Sequence, residues 1–347
     1  MTRDEVLAAI RRDDTIENVD LSGLDLSGAD LSGGRFENTV LRKVNFTVAK
    51  IQRTGFTGCD LFGAIMAGVD LTGVIWHKMN LKGVILREAV LREAVLTGAD
   101  LAGADLTLAD LSSAVLDHAR LDKAVMAGAV LNWTVLYQAS LVDADLSGAD
   151  LTRATFMEAD LSGARLKGCK LHKTFLRDCR LPGQDFRGAE FIMVQAGGAD
   201  FTGCDFTGAD ITQSDFSGAD LTGAKLDAVK GKRSVFLETT LTAASLKDAR
   251  LYQSCFDKSK LKRADFSRAD IEQAIFTRAF CQGALFIGAN CAYTDFSHAD
   301  LTAADFGSAR LYRTKLHRSL MDHVNWEGAN REAALGTDPD LAEAENW

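Results

Sequence analysis

Proline is nearly missing from this chain: 2 of 347 residues, against 30 glycines. Tyrosine and tryptophan number 4 each, whereas phenylalanine numbers 19. Such lopsided use points to a repeated unit that dictates composition. No apolar run approaches the roughly 18 residues that a membrane helix needs. The opening MTRDEVLAAIRRDD lacks the apolar core of a signal peptide, so a cytoplasmic protein without membrane association is expected. The 7 cysteines are odd in number and form no CxxC pair. That excludes a disulfide framework and a zinc site, and neither a metal nor a cofactor is expected. Positive charge is in deficit, with a formal net charge of −9, which argues against direct nucleic-acid binding. Glycine spacings are not followed by Gly-Lys-Ser/Thr, so no phosphate loop is present. The histidines at 77, 118, 172, 298, 317 and 323 share no face with a nucleophile. An enzyme is not expected.

What is present is a period of five. Starting at Ile16 and ending at Trp326, 63 positions follow one register without insertion or deletion. Of these centres, 59 are Leu, Phe, Ile, Met or Trp, the exceptions being Ala196, Gly231, Cys281 and Cys291. Two residues earlier sits a small side chain, usually Ala, again at 59 places; Asp14, Leu24, Met79 and Gln184 depart from this. Two residues after the centre lie 24 of the 30 glycines.

Neither regular element can bury such a row. Five residues advance a helix by about 500°, so the large side chains would wander round its axis. On a strand, a spacing of five sends successive centres to opposite faces. The backbone must instead turn once per five residues. Turns of about 90° close a square coil of 20 residues, with the centre and the small residue pointing inward. Glycine suits the corner, where an unusual φ is required.

Ala29-Asp30-Leu31-Ser32-Gly33 and Ala219-Asp220-Leu221-Thr222-Gly223 resemble the A(D/N)LXX unit of the pentapeptide-repeat family. The resemblance covers roughly nine tenths of the chain. It implies an all-β solenoid, a right-handed quadrilateral β-helix of about 16 coils and roughly 75 Å at about 4.8 Å per coil. Residues 1–15 are expected to form an N-terminal capping helix, with Thr2 as N-cap and Val6, Leu7, Ala9 and Ile10 at helical spacing. Residues 16–328 form the repeat body. Residues 329–347 carry a short helix near Arg331–Leu335 and a disordered acidic tail with Glu343, Glu345 and Trp347.

Residues 20 apart should stack. Phe216, Phe236, Phe256, Phe276 and Phe296 form one such column, and Phe266, Phe286 and Phe306 another on the opposite face. Cys59, Cys169, Cys179 and Cys204 take small inward slots, as buried hydrophobes do; Cys255 points outward. Pro182, Gln184, Ala196 and Gly231 are register defects, read as kinks or bulges in the wall that could dock a partner.

Function must sit on the surface. The residue before each centre points outward, and one column there is apolar: Ile75, Val95, Val115, Val135 and, past Thr155, Phe175. Ile65, Ile85 and Val125 are expected to extend this strip onto a neighbouring face, with Trp133 and Tyr137 nearby. An exposed apolar strip suggests a docking or homodimer surface. Charge is banded: residues 181–220 carry seven acids and one base, residues 221–263 ten bases and four acids, and a further basic cluster spans Arg165–Arg180. Two functions are weighed. The first is a rigid protein-protein interaction scaffold. The opening Met1–Leu7 with Leu21–Leu31 looks like the pentapeptide portion of bacterial accessory proteins of type VI secretion, which implies loading of an effector or spike component. The alternative is a DNA-mimicking modulator of DNA gyrase or topoisomerase, as some family members are. The overall acidity suits that role, but the basic clusters interrupt a DNA-like potential.

Overall fold

The computed structural model describes residues 1–345, and Trp347 lies outside the described residues. The chain divides into two compact units, one of residues 1–170 and one beginning at Leu171.

Within each unit, the residue before each centre pairs in parallel with the residue 20 further on. Asp100 pairs with Arg120 and Asp105 with Val125, and in the second unit Asp200 pairs with Asp220 and Phe280 with Asp300. Three other paired positions lie between a residue and its partner, as Asp105, Asp110 and Val115 do between Asp100 and Arg120, so each coil has four walls. The amide of Leu96 donates to the Val115 carbonyl at 2.7 Å, and the amide of Val95 donates to the Val74 carbonyl at 2.7 Å. Each straight wall is a few residues long, too short to sustain a strand of ordinary length. Among the described residues only β1 (Thr15–Glu17), β2 (Arg35–Glu37) and β3 (Gly55–Thr57) exceed a single bridge, and they pair in the order β1-β2-β3.

Two features of the repeat explain the turn. All 63 residues two places after a centre have positive φ, 24 of them glycines and 39 not. The corner therefore demands the left-handed region, which glycine enters without steric cost. The residue before the centre stabilises the same turn when it is Asp. Asp70 Oδ1 accepts the Thr72 amide at 3.0 Å and the Thr72 hydroxyl at 2.6 Å, a local side-chain turn.

The core is a stack of inward centres. In the second unit, Phe216 and Phe236 lie 5.2 Å apart between ring centroids, and Phe236 and Phe256 4.7 Å, both pairs within 6° of parallel. Phe266, Phe286 and Phe306 form the second column, at 5.2 and 4.7 Å. The columns meet edge to face, as Phe256 and Phe266 do at 5.5 Å and 85°, a favoured aromatic geometry. Many small slots that hold Ser, Thr or Cys donate to a core carbonyl of the preceding coil. Thr134 Oγ1 reaches the Leu111 carbonyl at 2.8 Å, and Ser234 Oγ reaches that of Ile211 at 2.8 Å. A buried hydroxyl is tolerated there because its partner is built in.

Helix α1 (Arg3–Arg11) starts at Thr2, whose hydroxyl accepts the Glu5 amide while the Glu5 carboxylate accepts the Thr2 amide. That is a capping box. Val6 and Ala9 are buried. Arg3 donates to the carbonyls of Asp25 and Ser27 at 3.0 and 2.8 Å, groups that have no preceding coil to pair with. At the other end, a 3-10 turn covers Arg331–Ala333 and α2 spans Pro339–Ala344. The segment differs from the disordered tail expected above. Asp338 accepts the amides of Asp340 and Leu341 and so caps α2, with Pro339 at the first helical position where its missing amide costs nothing. Among the described residues no helix is long and apolar enough to cross a membrane.

Candidate protein-interaction surface

Ile75, Val95, Val115 and Val135 form one continuous wall column through the bridges Ile75–Val95, Val95–Val115 and Val115–Val135. Ile75 is 66% exposed, and the three valines are half-buried against their neighbours. Thr155 ends the column. Trp133, 58% exposed, flanks it under the Arg153 guanidinium at 4.5 Å. Tyr137 flanks it too, edge-on to His118 at 5.6 Å.

The other residues of the expected strip do not join it. Ile65 and Ile85 pair with each other, Asp105 follows, and Val125 comes after that. They stand ten residues from the Ile75 column, half of a four-walled coil, and so occupy the opposite wall rather than a neighbouring one. The wall between carries Asp70, Val90, Asp110 and Val130 in sequence. Phe175 belongs to the second unit, where Gln195 and Asp215 continue its column.

The register defects leave pairing with the following coil in place. Ala196 is fully buried and its amide donates to Asp215 at 2.7 Å. Phe186, Phe191, Phe201, Phe206 and Phe216 pack on one another around it, with ring centroids 4.9–6.1 Å apart. The Gly231 amide donates to Arg250 at 2.8 Å, and a side chain there would meet Leu251 Cδ2 at 2.7 Å and Ile211 Cγ1 at 3.1 Å. Its neighbours have filled the vacated centre. Pro182 follows a centre, where the amide is not a ladder donor; Leu181 and Gly183 on either side donate to Asp200 and Thr202. Gln184 is buried. Pairing with the following coil continues beside all four, through Arg180–Asp200, Asp185–Asp205, Gln195–Asp215 and Lys230–Arg250.

The ladder fails elsewhere. Asn45 pairs with Ile65 and Ile65 with Ile85, but among the described residues no bridge joins 50 to 70, 55 to 75 or 60 to 80. A cavity of about 1000 Å³ opens between residues 51–59 and 70–80. It coincides with bulk in the small slots. Thr54, Cys59, Val74 and Met79 stand where Ala is usual, and Trp76 is the centre between the last two. An overfilled core displaces backbone. Of these residues, the departure of Met79 from the small-residue rule is the one sequence signal of the opening.

Part of the charge is paired along the walls. Lys170 lies 3.7 Å from Asp150, Lys225 4.0 Å from Asp205, and Lys258 3.3 Å from Glu238. Lys247 instead reaches forward to Asp265 at 3.3 Å. Burial pushes the thiols of Cys169 and Cys204 up to about 12, which removes thiolate chemistry at neutral pH.

One group could be read as a metal centre. Ligand atoms of His298, His317 and Glu345 lie within 4.8 Å of one another. Yet the Asp338 amide donates to His317 Nδ1 at 3.2 Å. The imidazole proton then sits on Nε2, facing Glu345 Oε2 at 3.2 Å, and offers no lone pair to an ion. With Arg318 Nε 3.4 Å from the same carboxylate, the group ties α2 to the coils beneath it.

The family model for pentapeptide repeats (8 copies) matches residues 20–54, 41–75, 80–112, 104–141, 134–172, 164–203, 189–227, 244–280, 264–302 and 279–318. No curated protein matches the chain. Among solved structures it is similar to HetL, a pentapeptide repeat protein involved in heterocyst differentiation regulation in the cyanobacterium Nostoc sp. strain PCC 7120. Identity is 25%, covering 78% of this chain and 91% of that one, with a TM-score of 0.31. It is also similar to QnrB1, a plasmid-mediated fluoroquinolone resistance protein, at 18% identity over 63% and 93% with a TM-score of 0.26. Rfr23 of the cyanobacterium Cyanothece 51142 shares 25% identity over 30% and 85%, with a TM-score of 0.21.

Proposed function

The chain belongs to the pentapeptide-repeat family, whose members fold as right-handed quadrilateral β-helices, and we propose that it is a non-catalytic, cytoplasmic protein-interaction scaffold. The observation that carries this reading is the wall of Ile75, Val95, Val115 and Val135. Solvated walls of this fold favour Asp, and four successive apolar residues at those positions make a contiguous docking strip. A rigid wall loses little entropy on binding. In this reading residues 1–15 cap about 16 coils spanning residues 16–328, and residues 329–347 close the far end. The partner we favour is an effector or spike component of bacterial type VI secretion, on the resemblance of Met1–Leu31 to accessory proteins of that system; a second copy of the chain is the other occupant.

A second reading has its own support. Asp200, Asp205, Asp210 and Asp215 place one carboxylate on each wall of a coil, with Asp220 bridged to Asp200. Such an acidic belt suits a DNA mimic acting on gyrase or topoisomerase.

Affinity capture and sedimentation, with wild type beside Val95→Asp/Val115→Asp, test the first reading. Loss of the partner or of the dimer in a variant that unfolds like wild type supports it. The same captured proteins and the same oligomeric state for both sink it. Inhibition of gyrase supercoiling by wild type, unaltered in that variant, would favour the second.

A further inference from the structure

We propose that the cleft between residues 51–59 and 70–80 accepts one extended peptide strand bearing carboxylates, supplied by a partner protein and inserted as an extra rung of the ladder. The proposal adds to the scaffold reading that the partner is a protein and stands without the apolar wall.

Three observations define the occupant. The first is the hydrogen-bonding demand. Among the described residues the amides of Ile51, Arg53, Phe56 and Gly58 on one side, and of Asp70 and Ile75 on the other, lack the ladder acceptors that equivalent residues find in the coils on either side. β3 pairs with β2 on one edge and with nothing on the other. On the wall between the corners at Arg53 and Gly58, a short peptide backbone satisfies both facing edges together. The second is room: about 1000 Å³, at the upper end of the roughly 300–1,000 Å³ of ligand pockets. The third is charge. Arg53 and Lys78 line the cleft and form no ion pair among the described residues, whereas Asp70 is engaged by Thr72. An inserted strand alternates its side chains. Phe56 and Trp76 close the inner side of the cleft by packing on each other, so the strand's inward residues must be small and apolar, and its outward residues would meet the two cations. The occupant is therefore a strand with apolar and acidic residues in alternation.

The probe is a labelled eight-residue peptide alternating Val and Asp, followed by fluorescence anisotropy on the full chain. Two controls are the peptide with Lys for each Asp and the Val/Asp peptide N-methylated at alternate residues. The expected result is at least tenfold tighter binding than either control, and at least fivefold weaker binding to Arg53→Gln/Lys78→Gln. Trp76→Leu/Met79→Ala should close the rung. Binding is then lost while the amides of Arg53 and Ile75 become protected from exchange, which shows that the variant is folded. Val95→Asp/Val115→Asp should bind the peptide as wild type does, so failure of the wall and failure of the cleft are read separately. No binding of the Val/Asp peptide to wild type overturns the proposal. So does equal binding of the N-methylated peptide, or undiminished binding by the closed variant.

Discussion

Trp76 meets Phe56 edge-on, with ring centroids 6.0 Å apart and planes at 81°, whereas Phe56 lies flat on Phe36 at 5.3 Å and 8°. The same column changes from stacking to edge contact where the ladder parts. A tryptophan centre alone does not force this, since Trp326 stacks on Phe306 at 4.9 Å and 17°. The difference is the company: Val74 and Met79 fill the slots beside Trp76, while Trp326 has Val324 before it and Ala329 after it.

Met79 therefore offers an inverted core mutation. Met→Ala in a well-packed core costs about 2–5 kcal/mol. Here relief of overfilling offsets that loss, and Met79→Ala should cost less than about 1 kcal/mol, within the range of overpacking relief. Leu96→Ala, in an intact coil, should cost the full amount. Urea unfolding of both variants decides it; equal losses would contradict the overfilled-slot account.

Gly231 tests the opposite intuition. Restoring a consensus centre with Gly231→Leu should destabilise, because Leu251 and Ile211 already occupy the space. Overfilling of this kind costs about 1–3 kcal/mol. A rise in melting temperature would show that the centre is vacant after all.

Val48 is a β-branched residue held at φ 49° and 62% exposed. The left-handed region costs an L-residue about 1–2 kcal/mol, and glycine's extra chain entropy returns about 0.5–1. Val48→Gly should thus stabilise by roughly 1 kcal/mol. A loss of stability on chemical denaturation would refute this.

These cases mark what the residues made legible. The five-residue register, the inward centre, the small slot and the stacked phenylalanines follow from side-chain spacing alone, because each repeat spends the same two positions on the core. The corner's positive φ was visible only as a glycine preference; Val48 and Trp133 show that the turn imposes it on other residues too. Ala196 and Gly231 looked like defects because a missing side chain is visible in a sequence, but the neighbours that fill its space come from the coils 20 residues away. The opening at Trp76 escaped notice for the converse reason: each residue there is apolar and plausible, and only their summed volume is excessive. The walls of Ile75 and Ile65 were misjudged as adjacent because ten residues is half a coil.

Acid should weaken the turns in a defined direction. The Thr72 hydroxyl and amide hold Asp70 below the ordinary carboxylate value, and Ser147 does the same for Asp145. A carboxylate with a lowered folded value stabilises fully above the unfolded value near 3.8 and loses that contribution as pH falls through the folded one. Stability should hold as pH is lowered toward that unfolded value and fall below it. Thr72→Val should move the Asp70 titration upward in NMR spectra; an unchanged titration would remove the hydroxyl from the explanation.

Amide hydrogen exchange on the wild-type chain tests the central structural claim most directly, that one stretch of the first unit lacks its ladder. The account predicts fast exchange at Arg53, Gly58 and Ile75, beside slow exchange at Leu96, Val115 and Leu116, whose amides are paired. Slow exchange across all of these positions would mean that the rung is closed, and would contradict both the overfilled slots and the peptide site built on them.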